Sequence, residues 1–266
     1  MTRRLKVLEL FAGTRSVSKA FEEHGHDTYS VELDHQHPNI DLYADVGQLQ
    51  ADTIREQFGE PDVVWASPPC TTYSVAGIHY HRRLGEKGYP EPISEFAKDS
   101  DELVQHTKRL ISDLDPEYFY IENPRGALRK MPFMQDMPRY TISYCQYGDF
   151  RQKPTDIWTD HPDPRFKPLC KPGAPCHVAA PRGSRTGTQG LPDAKERSRI
   201  PPGFCEHIVE ISEEPKDMER PKRLYSEVPN VRSIASFQRK PRKWGIFGWR
   251  KNKRAYRSSR GSEGSR

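Results

Sequence analysis

Four apolar runs separated by helix-type patterns constrain the first 160 residues more than any other feature of the chain. The runs are KVLELF (6–11), DTYSVELD (27–34), PDVVWASPPC (61–70) and EYFYIENP (117–124). Between them lie SVSKAFEEHG (16–25), a segment near Leu49 to Phe58, and SDELVQHTKRLISDLD (100–115). In the first, Val17, Ala20 and Phe21 share one face; in the last, Leu103, Val104, Thr107, Leu110, Ile111 and Leu114 do. RYTISYCQYG (139–148) and TDIWTD (155–160) read as two further strands. Short apolar strands alternating with amphipathic helices predict an α/β fold whose parallel or mixed sheet is covered on both faces. Sheets of this kind bind ligands at the carboxyl ends of their strands, and the unusual residues of this sequence lie there.

The 266 residues are 34% hydrophobic and 30% charged, enough for one modest core plus extensive surface or tails. No run of about 18 apolar residues offers a membrane span, and no apolar leader precedes the first strand. Five scattered cysteines do not form a disulfide framework, so reduced thiols and a cytoplasmic setting are expected. The net charge of +5 hides an asymmetry. Residues 238–266 carry eleven Lys/Arg against Glu263, whereas the rest holds 31 Lys/Arg and 36 Asp/Glu. A basic tail interleaved with Trp244, Phe247, Trp249 and Tyr256 suits a polyanion, nucleic acid above all, although such an end can also serve only solubility.

LELFAGTRS (8–16) is a strand, a small-residue turn and a helix start, which together bring backbone N–H groups up to a ligand. Some twenty residues on, Glu32 can accept from both hydroxyls of a ribose, and Asp45 could take an adenine amino group. Both could equally be strand-end and capping residues. Cys70 follows two prolines at the end of a strand. If a helix begins near Thr71, its N–H dipoles would lower the thiol pKa; the alternative reading of Cys70 is an inert buried cysteine, the commoner fate of a lone Cys. Glu122 and Asn123 end the neighbouring run. A carboxyl that can be held protonated beside a thiolate is a pairing suited to nucleophilic catalysis.

In order, ELFAGT, VELD, SPPC, IENP and CQYGDFRQKPTDIWT resemble the motif series of the C5-cytosine DNA methyltransferases, over roughly residues 5–160 with an echo at 199–212. Compact, phage-encoded members are the nearest likeness. The resemblance implies a Rossmann-like S-adenosylmethionine-dependent methyltransferase sheet and a DNA (cytosine-5-)-methyltransferase activity. It implies cofactor contacts from Phe11, Ala12, Gly13, Thr14, Ser16, Val17, Glu32, Leu33, Asp45, Val46 and Pro68. Cys70 would be the nucleophile, with Glu122 and Asn123 holding a flipped cytosine and Lys153 supplying positive charge. Double-stranded DNA would be the partner, met by Ser74, Arg82, Arg83 and Arg151 and by Arg182, Arg185 and Gln189. No membrane and no obligate protein partner are implied.

The sequence departs from the family in three places. Arg15 and Ser16 stand where a glycine pair is usual, and Arg15 could crowd the cofactor, contact its carboxylate or point to solvent. Thr155 replaces an expected basic residue, leaving Arg151 or Lys153 to supply the charge. The Gly-Asn pair before the returning helix is absent. The implied organisation is a catalytic domain at 1–160, a small target-recognition subdomain at 161–198, a returning helix and linker at 199–236, and the basic tail at 237–266. The segment 77–92 reads either as a mobile loop closing over DNA or as a solvated surface loop. No metal site is assigned, although Cys170, Cys176 and His177, with Cys145, His161 or Cys205, could bind zinc; the C-x5-C-H spacing is not that of a standard finger. Two rival readings are a non-catalytic DNA-binding module and an amino methyltransferase. The latter would need an aromatic residue where Cys70 stands.

Overall fold

Central strands buried on both faces build the molecule, which a computed structural model describes over residues 3–179, 191 and 193–214. The strands are β1 (Lys6–Leu10), β2 (Asp27–Glu32), β3 (Leu42–Tyr43), β4 (Val63–Ala66), β5 (Arg82–Leu84), β6 (Pro90–Pro92), β7 (Tyr118–Pro124), β8 (Arg139–Ser143) and β9 (Pro154–Thr159). The helices are α1 (Ser16–Glu23), α2 (Ala51–Gln57), α3 (Ile78–His81), α4 (Glu95–Leu114), α5 (Ala194–Ser198) and α6 (Pro202–Glu213). Seven strands form one sheet in the order β3-β2-β1-β4-β7-β9-β8. The five from β3 to β7 run parallel, and β9 is antiparallel to both β7 and β8. This is the expected Rossmann-like sheet with a reversed strand near one edge.

Alternate side chains of each central strand enter two separate apolar clusters. Leu8, Leu10, Val64, Ala66, Phe119 and Ile121 join Ile54 of α2 and Val104, Leu110 and Ile111 of α4 on one face. Val7, Val63, Trp65, Tyr118 and Tyr120 join Val17 and Phe21 of α1 and Phe204, Ile208 and Val209 of α6 on the other. Side chains at successive positions point to opposite faces, so a slip of one residue would exchange the clusters, and the register is tightly specified.

Helix α4 starts five residues before its apolar pattern does. Ser94 accepts a hydrogen bond from the Ala97 backbone N–H (3.2 Å) and so caps a polar first turn that hydrophobic periodicity cannot reveal. Helix α1 has no capping side chain of its own. Buried Glu9 of β1 serves instead, accepting from the Ser18 backbone N–H at 2.8 Å, the Ser18 hydroxyl and the Val17 N–H. Beyond Ser143 the expected strand 139–148 turns into a single 3-10 turn, Tyr144–Tyr147. The segment 77–92 holds α3 and an antiparallel β5–β6 hairpin where a loop without elements was expected. No helix among the described residues is long and apolar enough to cross a membrane.

Candidate active site

The carboxyl ends of β1 and β2 are stitched together by Glu32. Its Oε2 accepts from the Gly13 backbone N–H (2.9 Å), and its Oε1 accepts from Leu33 and Asp34 N–H (2.8 and 3.0 Å). Phe11, Gly13 and Arg15 all adopt positive φ (58°, 48° and 54°), an alternation that folds the turn tightly enough for Ala12 N–H to reach the Val31 carbonyl. Gly13 is needed there for its backbone angle more than for space, since an added Cβ would meet nothing nearer than 3.9 Å. Thr14 and Ser16 pair through their hydroxyls at 2.8 Å. Beside this turn lies a cavity of about 180 Å³ bordered by Gly13, Thr14, Lys19, His37, Lys195 and Arg199. Arg15 also borders it, but its guanidinium turns back to Glu22, so it neither points to solvent nor reaches into the turn.

The remaining cofactor candidates divide by exposure. Leu33, 40% exposed beside Glu32, leaves an apolar side chain free to cover a ring. Asp45 accepts from Gly47 N–H (2.8 Å) and caps the turn Val46–Gln48. Ala12, Val17 and Val46 are buried and contribute backbone and shape. These features fit a nucleoside cofactor with a charged amino-acid end: a carboxylate on the turn for a ribose, an apolar flank for a base, and cations around the cavity for a carboxylate.

Adjacent parallel strands β4 and β7 carry the second half of the site. After Ala66, β4 leads through Ser67 and the buried Pro68 to half-buried Cys70, while Glu122 and Asn123 continue β7 against β9. Asn123 fixes the proline turn by donating its Nδ2 to the Pro68 carbonyl (2.9 Å), which leaves its buried Oδ1 without a protein partner. No helix begins at Thr71. Tyr73 and Ser74 N–H groups donate to the Cys70 carbonyl (3.0 and 2.8 Å), so they do not face the sulfur.

Burial therefore dominates the thiol and pushes its pKa up, opposed mainly by Lys153. Glu122 behaves the same way. Burial raises its pKa, against the pull of Lys153 and of the Tyr144 and Ser67 hydroxyls; the Tyr144 hydroxyl donates to its Oε1 at 3.0 Å. Burial conversely lowers Lys153, whose charged form is favoured by Glu122 and Cys70. Lys153 Nζ donates to the Arg197 carbonyl (2.9 Å) and lies 4.5 Å from the Tyr144 ring centre. Cys70, Glu122 and Lys153 are thus close enough to act on one another electrostatically, and burial shifts each toward its neutral form.

The expected DNA contacts fare unevenly. Arg82 is 2% exposed and donates to Asp101, Thr72 and Ala97 (2.7, 3.0 and 3.4 Å) over the Tyr73 ring; it anchors the hairpin to α4 and has no face for a phosphate. Arg151, 4% exposed, is likewise committed: it pairs with Asp149 and donates to the Glu196, Arg197 and Arg199 carbonyls. Arg83 is exposed and Ser74 half-buried. Arg182, Arg185 and Gln189 lie outside the described residues, as does the basic tail. Thr155, at the position of the missing basic residue, is buried and donates to the Lys153 carbonyl (3.0 Å).

Several contributors escaped the sequence reading. Glu9 was legible as an acid inside an apolar strand. Tyr144 had no such signal, because only the folded sheet brings it to Glu122. Val75, Tyr80 and Leu84, in the segment leading from the proline turn into the hairpin, stand 71–78% exposed. Of the three residues offered alongside Cys170, Cys176 and His177, Cys145 is the one that converges with them.

Residues 5–133 match the family model of the C-5 cytosine-specific DNA methylases. A Frog virus 3 (isolate Goorha) protein named "Probable DNA (cytosine-5)-methyltransferase" is 28% identical over 224 residues, which span 78% of this chain and all of the viral protein. Among solved structures, a protein assigned as a DNA modification methyltransferase encoded within an E. coli prophage is 20% identical with a TM-score of 0.44, over 58% of this chain and 46% of that one. The S. pombe Dnmt2 methyltransferase is 13% identical with a TM-score of 0.40, over 59% and 48%. The chain therefore spans about half the length of these two structures.

Proposed function

We propose that this chain, which carries the C-5 cytosine-specific DNA methylase domain at residues 5–133, methylates C5 of cytosine in duplex DNA through a bond between the Cys70 sulfur and C6 of the base. The observation that carries the reading is the placement of Cys70 just beyond β4 and of Glu122 on the adjacent parallel strand β7, with Lys153 immediately before β9, the strand paired with β7. The Gly13 turn, Glu32, Leu33 and Asp45 would hold S-adenosylmethionine, which when bound supplies an electrophilic methyl group. Double-stranded DNA in the cytoplasm is the proposed substrate, read in part by Arg182, Arg185 and Gln189.

Cys70 must lose its proton to act, and the Lys153 cation is the group that favours its thiolate. The thiolate adds to C6, and the ring electrons shift toward C5 and N3. Glu122, kept protonated by burial, donates to N3 and offsets that charge. Asn123 holds the turn that aims the sulfur. Once C5 carries the methyl group that S-adenosylmethionine would supply, loss of the C5 proton to a base or water re-forms the C5=C6 bond, and the C6–S bond breaks with its electron pair returning to sulfur. Glu122 is 6% exposed, so no stacked base can reach it and the cytosine must leave the helix.

Single-turnover transfer of label from S-adenosylmethionine to duplex DNA tests the reading. Wild type should transfer label, Cys70→Ser should lose at least about a thousandfold in rate, and a 5-fluorocytosine duplex should be trapped on Cys70. Binding of DNA without transfer by wild type would establish the non-catalytic module instead.

A further inference from the structure

We infer that Cys145, Cys170, Cys176 and His177 form a structural zinc site that fastens the 161–179 segment to the turn Tyr144–Tyr147. The four donor atoms lie within 4.8 Å of one another. Cys170 Sγ stands 3.2 Å from Cys176 Sγ and 3.5 Å from His177 Nδ1; Cys176 Sγ stands 3.6 Å from both Cys145 Sγ and His177 Nδ1. Tetrahedral zinc, with Zn–S of about 2.3 Å and Zn–N of about 2.0–2.1 Å, sets its donors about 3.5–3.8 Å apart. The cluster therefore already has the dimensions of a one-ion site and no room for a multi-iron centre. Three soft sulfurs and an imidazole select zinc over hard cations.

A second observation points the same way. Residues 161–179 contain no helix or strand, yet they follow a defined path. A stretch this long without its own elements is uncommon in a compact domain and needs an external fastener. The hydrogen bonds that hold it converge on the same place. Cys170 N–H donates to Ser143 Oγ (3.1 Å), Gln152 Nε2 to the Cys170 carbonyl (3.0 Å), and Val178 N–H to the Phe150 carbonyl (2.9 Å). Gln146 Nε2 approaches Cys176 Sγ at 3.6 Å, a donor placed to support a thiolate. The other fourth-ligand candidates are elsewhere. Cys205 is buried between α6 and the sheet, and His161 Nε2 faces the Ile211 carbonyl (3.0 Å).

All four positions come from protein, so the site is closed and structural. Binding converts three thiols to thiolates and releases three protons for each zinc bound. Cys145 sits in the Tyr144–Tyr147 turn, next to the tyrosine that donates to Glu122, so the metal would hold that turn as well as the loop.

The full chain, purified without chelator under reducing conditions, should contain about one zinc per molecule. Cobalt(II) added to the metal-free, reduced protein should give the thiolate charge-transfer band and strong visible bands of tetrahedral coordination. Cys176→Ser and His177→Ala should weaken zinc binding at least about tenfold, whereas Cys70→Ser should leave it unchanged. Absence of zinc together with failure of the reduced wild type to give the cobalt spectrum would overturn the inference. So would a Cys170–Cys176 disulfide whose reduction yields no metal uptake. Neither result depends on methyl transfer.

Discussion

The two sides of the sheet are built by different means. From β3 to β7 the strands are parallel, their side chains alternate between two apolar clusters, and one half-buried carboxylate, Glu32, joins the turn to its neighbour. From Tyr144 onward regular elements thin out, and order comes from single side chains: Arg151 across Asp149 and three carbonyls, Lys153 on the Arg197 carbonyl, and the Cys145/Cys170/Cys176/His177 group. Packing distributes stability over many weak contacts, whereas a clamp concentrates it in a few strong ones that are costly to break.

That contrast can be broken experimentally. Arg151→Met should remove the clamp and leave the Asp149 carboxylate buried and unpaired, a loss of about 3–5 kcal/mol. Denaturant titration would measure it, and hydrogen exchange should rise at 144–151 and 196–199 while α2 and α4 stay protected. A stability loss spread evenly over the sheet would show that the two sides are not distinct after all.

A smaller effect should follow from Lys153→Met. The Lys153 cation lowers the Cys70 thiol pKa and, equally, that of Glu122, so its removal moves both upward. The pH midpoint for alkylation of Cys70, followed by peptide mass mapping, should rise by about 1–2 units. The loss of transfer on the alkaline side, where Glu122 gives up its proton, should move up with it. An unchanged midpoint would place Lys153 outside the working pocket.

Smallest of all should be Arg83→Ala. One exposed phosphate contact contributes about one unit to the slope of log affinity against log salt. Binding to duplex DNA should weaken a few-fold and that slope should flatten accordingly, without loss of stability; an identical slope would remove Arg83 from the DNA face.

Legibility follows the same division. Strands β1, β2, β4 and β7 announced themselves as short apolar runs, and α1, α4 and α6 by apolar residues repeated at the helical period. Cys70, Glu122 and Asn123 were legible because strand ends gather at one edge of such a sheet. Arg82 and Arg151 were expected to contact DNA, since a basic residue in a polar stretch looks the same whether it faces solvent or closes a buried clamp. The pairing of Tyr144 with Glu122 and of Cys145 with Cys170 depended on a fold-back that no local pattern encodes. The small β3 strand, two residues long, was below any pattern's reach.

The buried guanidinium of Arg82 sets the mechanics of everything beyond it. Held to Thr72 and Asp101 on both sides, the base of the hairpin is a fixed pivot, and only the pairs Arg83↔Glu91 and Leu84↔Pro90 and the bend after them extend from it. At about 3.4 Å per residue this is a lever of roughly 10 Å. An arm that short sweeps a narrow arc, so its exposed Leu84 stays within about 10 Å of the anchored base.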